Sequence, residues 1–282
     1  MVERKPHLDW ISHAVLIIGI AIIALPIWVT FVGSTNTLDD VVSSPMKLSI
    51  GDSFLANYSQ VLGTGGTAGG SSAPVGRMLV VSLIMALLIA FGKIAISLLS
   101  AFAIVYFRFP GKQIVFWMIF ITLMLPVEVR ISPTYQVVSD LGLLNSYAGL
   151  TLPLIASATA TFLFRQFFMT IPDELVEASR MDGASPMRFF FDVLLPLSRT
   201  SIAALFVIMF IYGWNQYLWP HLVSTEEKYY PIVIGIKQMI AGESQVEWHL
   251  MMATAMLAMV PPVLVVVLMQ KWFVKGLVDS EK

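Results

Sequence analysis

Residues 14–32 run for 19 positions without a charged side chain, and that run limits the chain more than any other feature in it. A helix needs about 20 mostly apolar residues to cross the ~30 Å hydrocarbon core of a bilayer. Five further stretches share this character. They are 78–106, interrupted only by Lys93; 114–138, with Glu128 and Arg130 after Pro126; 147–164; 200–219; and 250–270, uncharged and containing Pro261-Pro262. Together they predict an all-α, polytopic membrane protein with six transmembrane helices, a single membrane domain over residues 1–282. Composition agrees: 12% of residues are charged and 57% hydrophobic, whereas a soluble domain carries about a quarter charged residues. The first run follows Arg4 and Lys5, as in a signal peptide, but it is too long and lacks a small-x-small cleavage site. It reads as a retained span.

An even number of spans puts both termini on one side, and cations mark the cytoplasmic side. With the N-terminus inside, the inner segments hold Arg4, Lys5, Arg108, Lys112, Arg165, Arg180, Arg188, Arg199, Lys271, Lys275 and Lys282, against Lys47, Arg77, Lys228 and Lys237 outside. This bias predicts cytoplasmic termini.

Several chemistries are excluded. There is no cysteine, hence no disulfide, thiolate or Cys-ligated zinc. His7, His13, His221 and His249 make no His-Glu-x-x-His pair for a metal. A net charge of −1 gives no basic surface for nucleic acid. The glycine-rich stretch 63–72 in the long first outer loop reads as flexible, and no Lys-Ser or Lys-Thr follows it to hold phosphate. The third outer loop, 221–249, is long and reads as polar.

The segment 169–199 carries the most specific local signals. Thr170 and Asp173 write a Ser/Thr-x-x-acid start, Pro172 suits a first turn, and Asp173, Glu174 and Glu177 suit a helix N-terminus. Glu177 and Arg180 stand three apart, the spacing of a same-face pair. Gly183 is a stop signal, and Ser185-Pro186 starts a second helix through Phe189-Phe190-Phe191 to Leu195-Pro196. Two short helices joined at a glycine therefore lie outside the membrane on the cytoplasmic side. From these features alone, an amphipathic hairpin lying on lipid remains open beside a docking element, although the acidic first half suits anionic lipid poorly.

Glu177-Ala178-Ser179, three residues, Gly183, nine residues and Val193-Leu194-Leu195-Pro196 resembles the signature loop of the permeases of binding-protein-dependent ABC importers. That pattern is Glu-Ala-Ala, three residues, Gly, nine residues, Ile-x-Leu-Pro; Ser179 replaces the second Ala and Val193 the Ile. Residues 116–130, 157–166, 212–220 and 276–282 resemble the family members that import sn-glycerol 3-phosphate, while the first outer loop and 229–245 match them less well. A glycerophosphodiester, or another sugar or polyol, is the alternative solute.

The resemblance implies a permease subunit in the lipid bilayer of a bacterial inner membrane, assembled with a homologous permease, an ATPase dimer and an extracytoplasmic solute-binding protein. The chain has no Gly-x-x-x-x-Gly-Lys-Ser/Thr motif, so it is not expected to be an enzyme, and ATP and magnesium belong to the ATPase. Glu177, Ala178, Ser179, Gly183, Val193, Leu195 and Pro196 are the expected coupling residues, and a bulky group at Gly183 is expected to clash or distort the turn. Residues about 237–249 correspond in position to the outer loop that enters the binding protein in related sugar permeases.

Charges inside spans are rare and face protein or water, so Lys93, Arg130 and Glu128 are candidates for the solute path, with Asn215 and Gln216. Arg130 equally suits a pair with Glu128 or with the partner permease, or a snorkelling role. Trp219 reads as an interfacial anchor, and Pro261-Pro262 as a kink. A secondary transporter would have only Glu128 as a coupling acid, and an intramembrane enzyme would lack a convergent catalytic set.

Overall fold

A computed structural model describes residues 6–63, 74–122, 127–241 and 246–279; the expected glycine-rich stretch beyond Gly63, Pro126 and the tip of the third outer loop fall outside them. Among the described residues every regular element is helical. The first half of the chain gives α1 (Pro6–Thr35), α2 (Leu38–Val42), α3 (Phe54–Gly63), α4 (Val75–Tyr106), α5 (Lys112–Ile121), α6 (Val127–Asp140) and α7 (Tyr147–Thr151). The second half gives α8 (Ala158–Phe168), α9 (Asp173–Met181), α10 (Pro186–Phe189), α11 (Leu195–Leu197), α12 (Arg199–Trp214), α13 (Leu218–Val223), α14 (Ile232–Ala241) and α15 (Trp248–Asp279).

Among the described residues three helices are long and apolar enough to cross a membrane, over Trp10–Thr35, Val75–Tyr106 and Trp248–Trp272. Two bent pairs, Tyr147–Leu154 with Ala158–Phe168 at 49° and Pro186–Leu197 with Arg199–Trp214 at 74°, bring the number to at most five, if each pair is one span by length and composition. The expected span 147–164 is thus broken. Pro153 lies in a 3-10 turn after α7, and Ser157 starts α8 afresh by accepting the Ala160 N–H on its Oγ at 3.3 Å. The expected span 114–138 is carried by α5 and α6, neither long enough to cross alone. The span predicted to end near Trp219 ends at Trp214, where Asn215 caps α12. Pro261-Pro262, where a kink is expected, lie inside α15, which runs through them to Asp279; membrane helices tolerate proline where neighbouring groups re-satisfy the freed backbone.

The chain divides into two compact units. One comprises Met1–Arg77 and Gly235–Met259 and the other Met78–Ile234 and Val260–Lys282. In the first unit the end of α1 packs on α3 through buried polar contacts. Asn57 Nδ2 donates to the Ser34 and Asn36 carbonyls, each at 2.9 Å. Asn36 Nδ2 donates to Val32 O at 3.0 Å and Ser49 O at 2.9 Å. Two of these acceptors, Val32 O and Ser34 O, are orphan carbonyls in the last turn of α1. Gly51 lies so close to Asn36 and Thr35 that a Cβ there would meet the Thr35 carbonyl oxygen at 2.6 Å.

In the second unit Val81, Met85 and Ile89 of α4 form a core with Val138, Leu150, Leu154, Trp219 and Val223. Helices α4 and α12 approach backbone to backbone, since a Cβ on Gly213 would meet Ala86 Cα at 2.9 Å. Small residues permit such approach between membrane helices. Trp219 is no interfacial anchor: it is 3% exposed and its Nε1 donates to Gly149 O at 3.0 Å. The stretch after it is less polar than expected. Ile232 and Ile234 at the start of α14 are buried, and the Ile232 N–H donates to Ser82 Oγ at 2.8 Å. Asn145, at φ 52°, holds the neighbouring loop by accepting the Thr225 and Glu226 N–H groups on Oδ1 at 2.7 and 3.0 Å.

Candidate functional site

The hairpin of α9 to α11 is built from local signals. Its first helix starts at Pro172 without a side-chain cap, so the expected Thr170 cap does not form. Thr170 Oγ1 instead donates back to Phe167 O at 2.7 Å, at the end of α8. The helix stops as predicted. Gly183 takes φ 70°, its N–H donates to Arg180 O, and the Ala184 N–H donates to Ser179 O, both at 3.0 Å. This is the paired closure of a Schellman end. A Cβ at Gly183 would meet nothing within 4 Å, so the expected clash is absent within the chain. The left-handed backbone is what selects glycine.

Ser185 then caps the second helix, its Oγ accepting the Arg188 N–H at 3.3 Å, with Pro186 in the first turn. Residues Phe190–Leu194 widen into a π turn, in which the Leu195 N–H donates to Phe190 O. Pro196 explains it: the ring lacks an N–H and presses on the carbonyl four residues back, and a wider turn relieves both. Ser198 Oγ donates to Leu194 O at 2.6 Å just before the 74° bend into α12.

Two faces follow. The inner face is aromatic: Phe190 lies 5.0 Å from Phe102, and Phe189 stands edge-on to Tyr106 at 5.3 Å, between ring centroids. Tyr106 OH donates to Phe168 O at 3.2 Å, so the hairpin is tied to the end of α4 and to α8. A cavity of about 290 Å³ remains there, lined by Tyr106, Arg108, Ser179, Arg180 and Ala184. The outer face is free. Glu177, Ala178 and Gly183 are exposed, while Ser179, Val193, Leu195 and Pro196 are half-buried. The predicted coupling residues therefore divide into an outward set and a set nearer the support. No ion pair links Glu177 to Arg180 among the described residues, in keeping with how little an exposed pair is worth in water. Sequence reasoning missed Met181, 88% exposed, and Met187, 46% exposed. Apolar side chains in an otherwise charged segment were the available signal.

The intramembrane candidates separate. Lys93 is 6% exposed, with its Nζ 3.6 Å from the centre of the Tyr212 ring. The Arg130 side chain is exposed. Asn215 is exposed at the end of α12, and Gln216 turns its Nε2 back to Tyr212 O at 3.1 Å. The Glu128 side chain lies outside the described residues. No cluster of three His, Asp or Glu residues able to hold a metal occurs among the described residues.

Residues 93–279 match the family described as "Binding-protein-dependent transport system inner membrane component". Along its whole length the chain is 59% identical to the sn-glycerol-3-phosphate transport system permease protein UgpE of Agrobacterium fabrum and 59% to that of Escherichia coli O157:H7. The Brucella melitensis biotype 1 protein of the same name is 56% identical, and each alignment covers 100% of both chains. A crystal structure of a bacterial ABC transporter involved in the import of the acidic polysaccharide alginate contains a chain of the same fold. Its TM-score is 0.79 at 20% identity, with 97% of this chain and 99% of that one covered.

Proposed function

The chain belongs to the binding-protein-dependent transport system inner membrane components, permease subunits rather than enzymes, and we propose that it carries sn-glycerol 3-phosphate and is driven by an ATPase through the hairpin of α9 to α11. The observation that carries the solute reading is the 59% identity, over the whole chain, to permeases named for that solute. The partners are a second permease, an ATPase dimer and an extracytoplasmic solute-binding protein. The hairpin and both termini face the cytoplasm, in line with the excess of cations on those segments.

Coupling is mechanical. The ATPase grips the outward Glu177-Ala178 face and the Gly183 turn. The aromatic contacts of Phe189 and Phe190 pass its movement to α4, and the short rise through Pro196 and Ser198 passes it to α12. A packed aromatic support is two-state rather than compliant, so closure of the ATPase becomes a rocking of helices.

The test is ATP hydrolysis by the reconstituted complete complex. Binding protein loaded with sn-glycerol 3-phosphate should stimulate it, and stimulation only by another solute would overturn the solute. Gly183→Asp should assemble, since Asp tolerates the left-handed region better than most residues, yet lose the stimulation. Full stimulation in that variant would overturn docking through the hairpin.

A further inference from the structure

The cavity of about 290 Å³ behind the hairpin is lined from two elements far apart in the sequence, and each brings an arginine to it. Arg108 lies in the loop that leaves α4, just beyond the apolar span Val75–Tyr106, and Arg180 lies in the last turn of α9. Both side chains are exposed. Among the described residues neither guanidinium makes an ion pair or a hydrogen bond. Two cations on one hollow repel each other, and an anion between them reverses the sign of that interaction.

The acids of the hairpin take no part in the lining. Val176, Ser179 and Arg180 stand at the three- and four-residue spacing of one helix face, and that face closes the hollow, whereas Asp173, Glu174 and Glu177 lie outside it. The hairpin as a whole suits anionic lipid poorly; its inner hollow is cationic, with the Ser179 hydroxyl as a further donor. The rest of the wall is largely aromatic, with Phe102, Tyr106 and Phe107 at the end of α4 and Phe189 opposite. Phe107 is 42% exposed. An open ring and a cation directly after an apolar span are what the surface of a bilayer attracts.

We infer that this cavity is a site for the headgroup of an anionic phospholipid, drawn from the leaflet on the hairpin's side of the bilayer. Guanidinium groups offer planar pairs of donors to phosphate oxygens, and basic pockets beside membrane helices suit anionic headgroups. The hollow is at the small end of ligand clefts, which run to about 300–1,000 Å³, so it takes phosphate and glycerol and leaves the acyl chains in the bilayer. The aromatic wall packs on the glycerol and first methylenes, a contact that a free phosphate ion cannot use. A choline headgroup would bring its own cation against Arg108 and Arg180. The bound headgroup ties α9 to the end of α4 and adds to the support of the hairpin. The site goes beyond the transport reading and holds for any solute.

The experiment is the thermal midpoint of the complete complex in nanodiscs of phosphatidylcholine alone and of phosphatidylcholine mixed equally with phosphatidylglycerol. Native mass spectrometry of the same samples reads subunit stoichiometry and retained lipid. A ligand that binds only the folded state raises the midpoint, so phosphatidylglycerol should raise that of the wild type. Arg108→Gln and Arg180→Gln should each weaken phosphatidylglycerol retention by about fivefold, the scale of one cation at a membrane surface. In phosphatidylcholine alone both variants should match the wild type in midpoint and stoichiometry. Arg108→Lys keeps the charge and should keep most of the retention. No rise in the wild type, or equal retention in the wild type and both glutamine variants, would overturn the site. An equal rise produced by inorganic phosphate in phosphatidylcholine nanodiscs would make the ligand a soluble anion and overturn the lipid. Loss of the ATPase subunits from Arg108→Gln in phosphatidylcholine would place the arginines at a subunit contact and overturn it as well.

Discussion

The segment after α1 and the hairpin of α9 to α11 are both short helical pieces outside the long spans, and they are held by opposite means. Around Asn36 and Asn57 the contacts are buried hydrogen bonds to main-chain carbonyls. Behind the hairpin they are ring against ring, with Phe102, Tyr106, Phe189 and Phe190 in one cluster. Hydrogen bonds are directional and fail when one partner is removed, whereas apolar contacts accept another side chain of similar volume. The first region is therefore locked in one geometry. The second is firmly supported on its inner side, and its outer side is left unused by the chain itself.

The sharpest way to break this comparison is to put an apolar side chain into the polar region. Asn57→Leu leaves the Ser34 and Asn36 carbonyls without donors, at about 1–3 kcal/mol each, so roughly 2–6 kcal/mol should be lost. Phe190→Met, a hydrophobic exchange of similar volume in the hairpin, should lose less than about 1.5 kcal/mol. Thermal stability of the purified subunit in detergent compares the two, and equal losses would erase the distinction.

A smaller effect is expected at the hairpin turn. Gly183→Val adds a Cβ with open space around it, so the penalty comes from the left-handed backbone alone, about 1–2 kcal/mol. A loss well above that, measured in the same way, would mean that the turn is packed and the outer face is not free. The smallest effect on stability is expected at Met181. Met181→Ser should change stability by no more than about 0.5 kcal/mol while lowering ATP hydrolysis stimulated by the loaded binding protein. A change in stability without a change in hydrolysis would place Met181 on the supporting side of the hairpin.

Much of this was legible in the sequence where the cause is local. Long apolar runs marked the helices α1, α4 and α15, because a bilayer demands length and apolarity and little else. The end at Gly183 and the restart at Ser185-Pro186 were legible because caps are written within a few residues. What escaped depended on distant partners or on a choice between near ones. Trp219 looked like an anchor because aromatic residues near a span end usually are, and only the position of Gly149 makes it a buried donor. The break after Leu154 depends on Pro153 and Ser157 acting together, and an apolar run hides both. Thr170 had two partners within reach and chose the one behind it. Lys93 was visible as an anomaly, but the Tyr212 ring lies 119 positions further along the chain, beyond any local pattern.

The π turn at Phe190–Leu194 bears on how the hairpin measures length. An α-helix advances about 100° per residue, and a wide turn winds in one surplus residue without adding that rotation. A helical wheel drawn straight from Pro186 to Leu197 therefore loses phase in the middle: Phe189 and Phe190 belong to one apolar stripe, and Leu194 begins another. The interval between Gly183 and Pro196 is accordingly specified as a count of residues and not as a repeat, with the proline marking where the count ends.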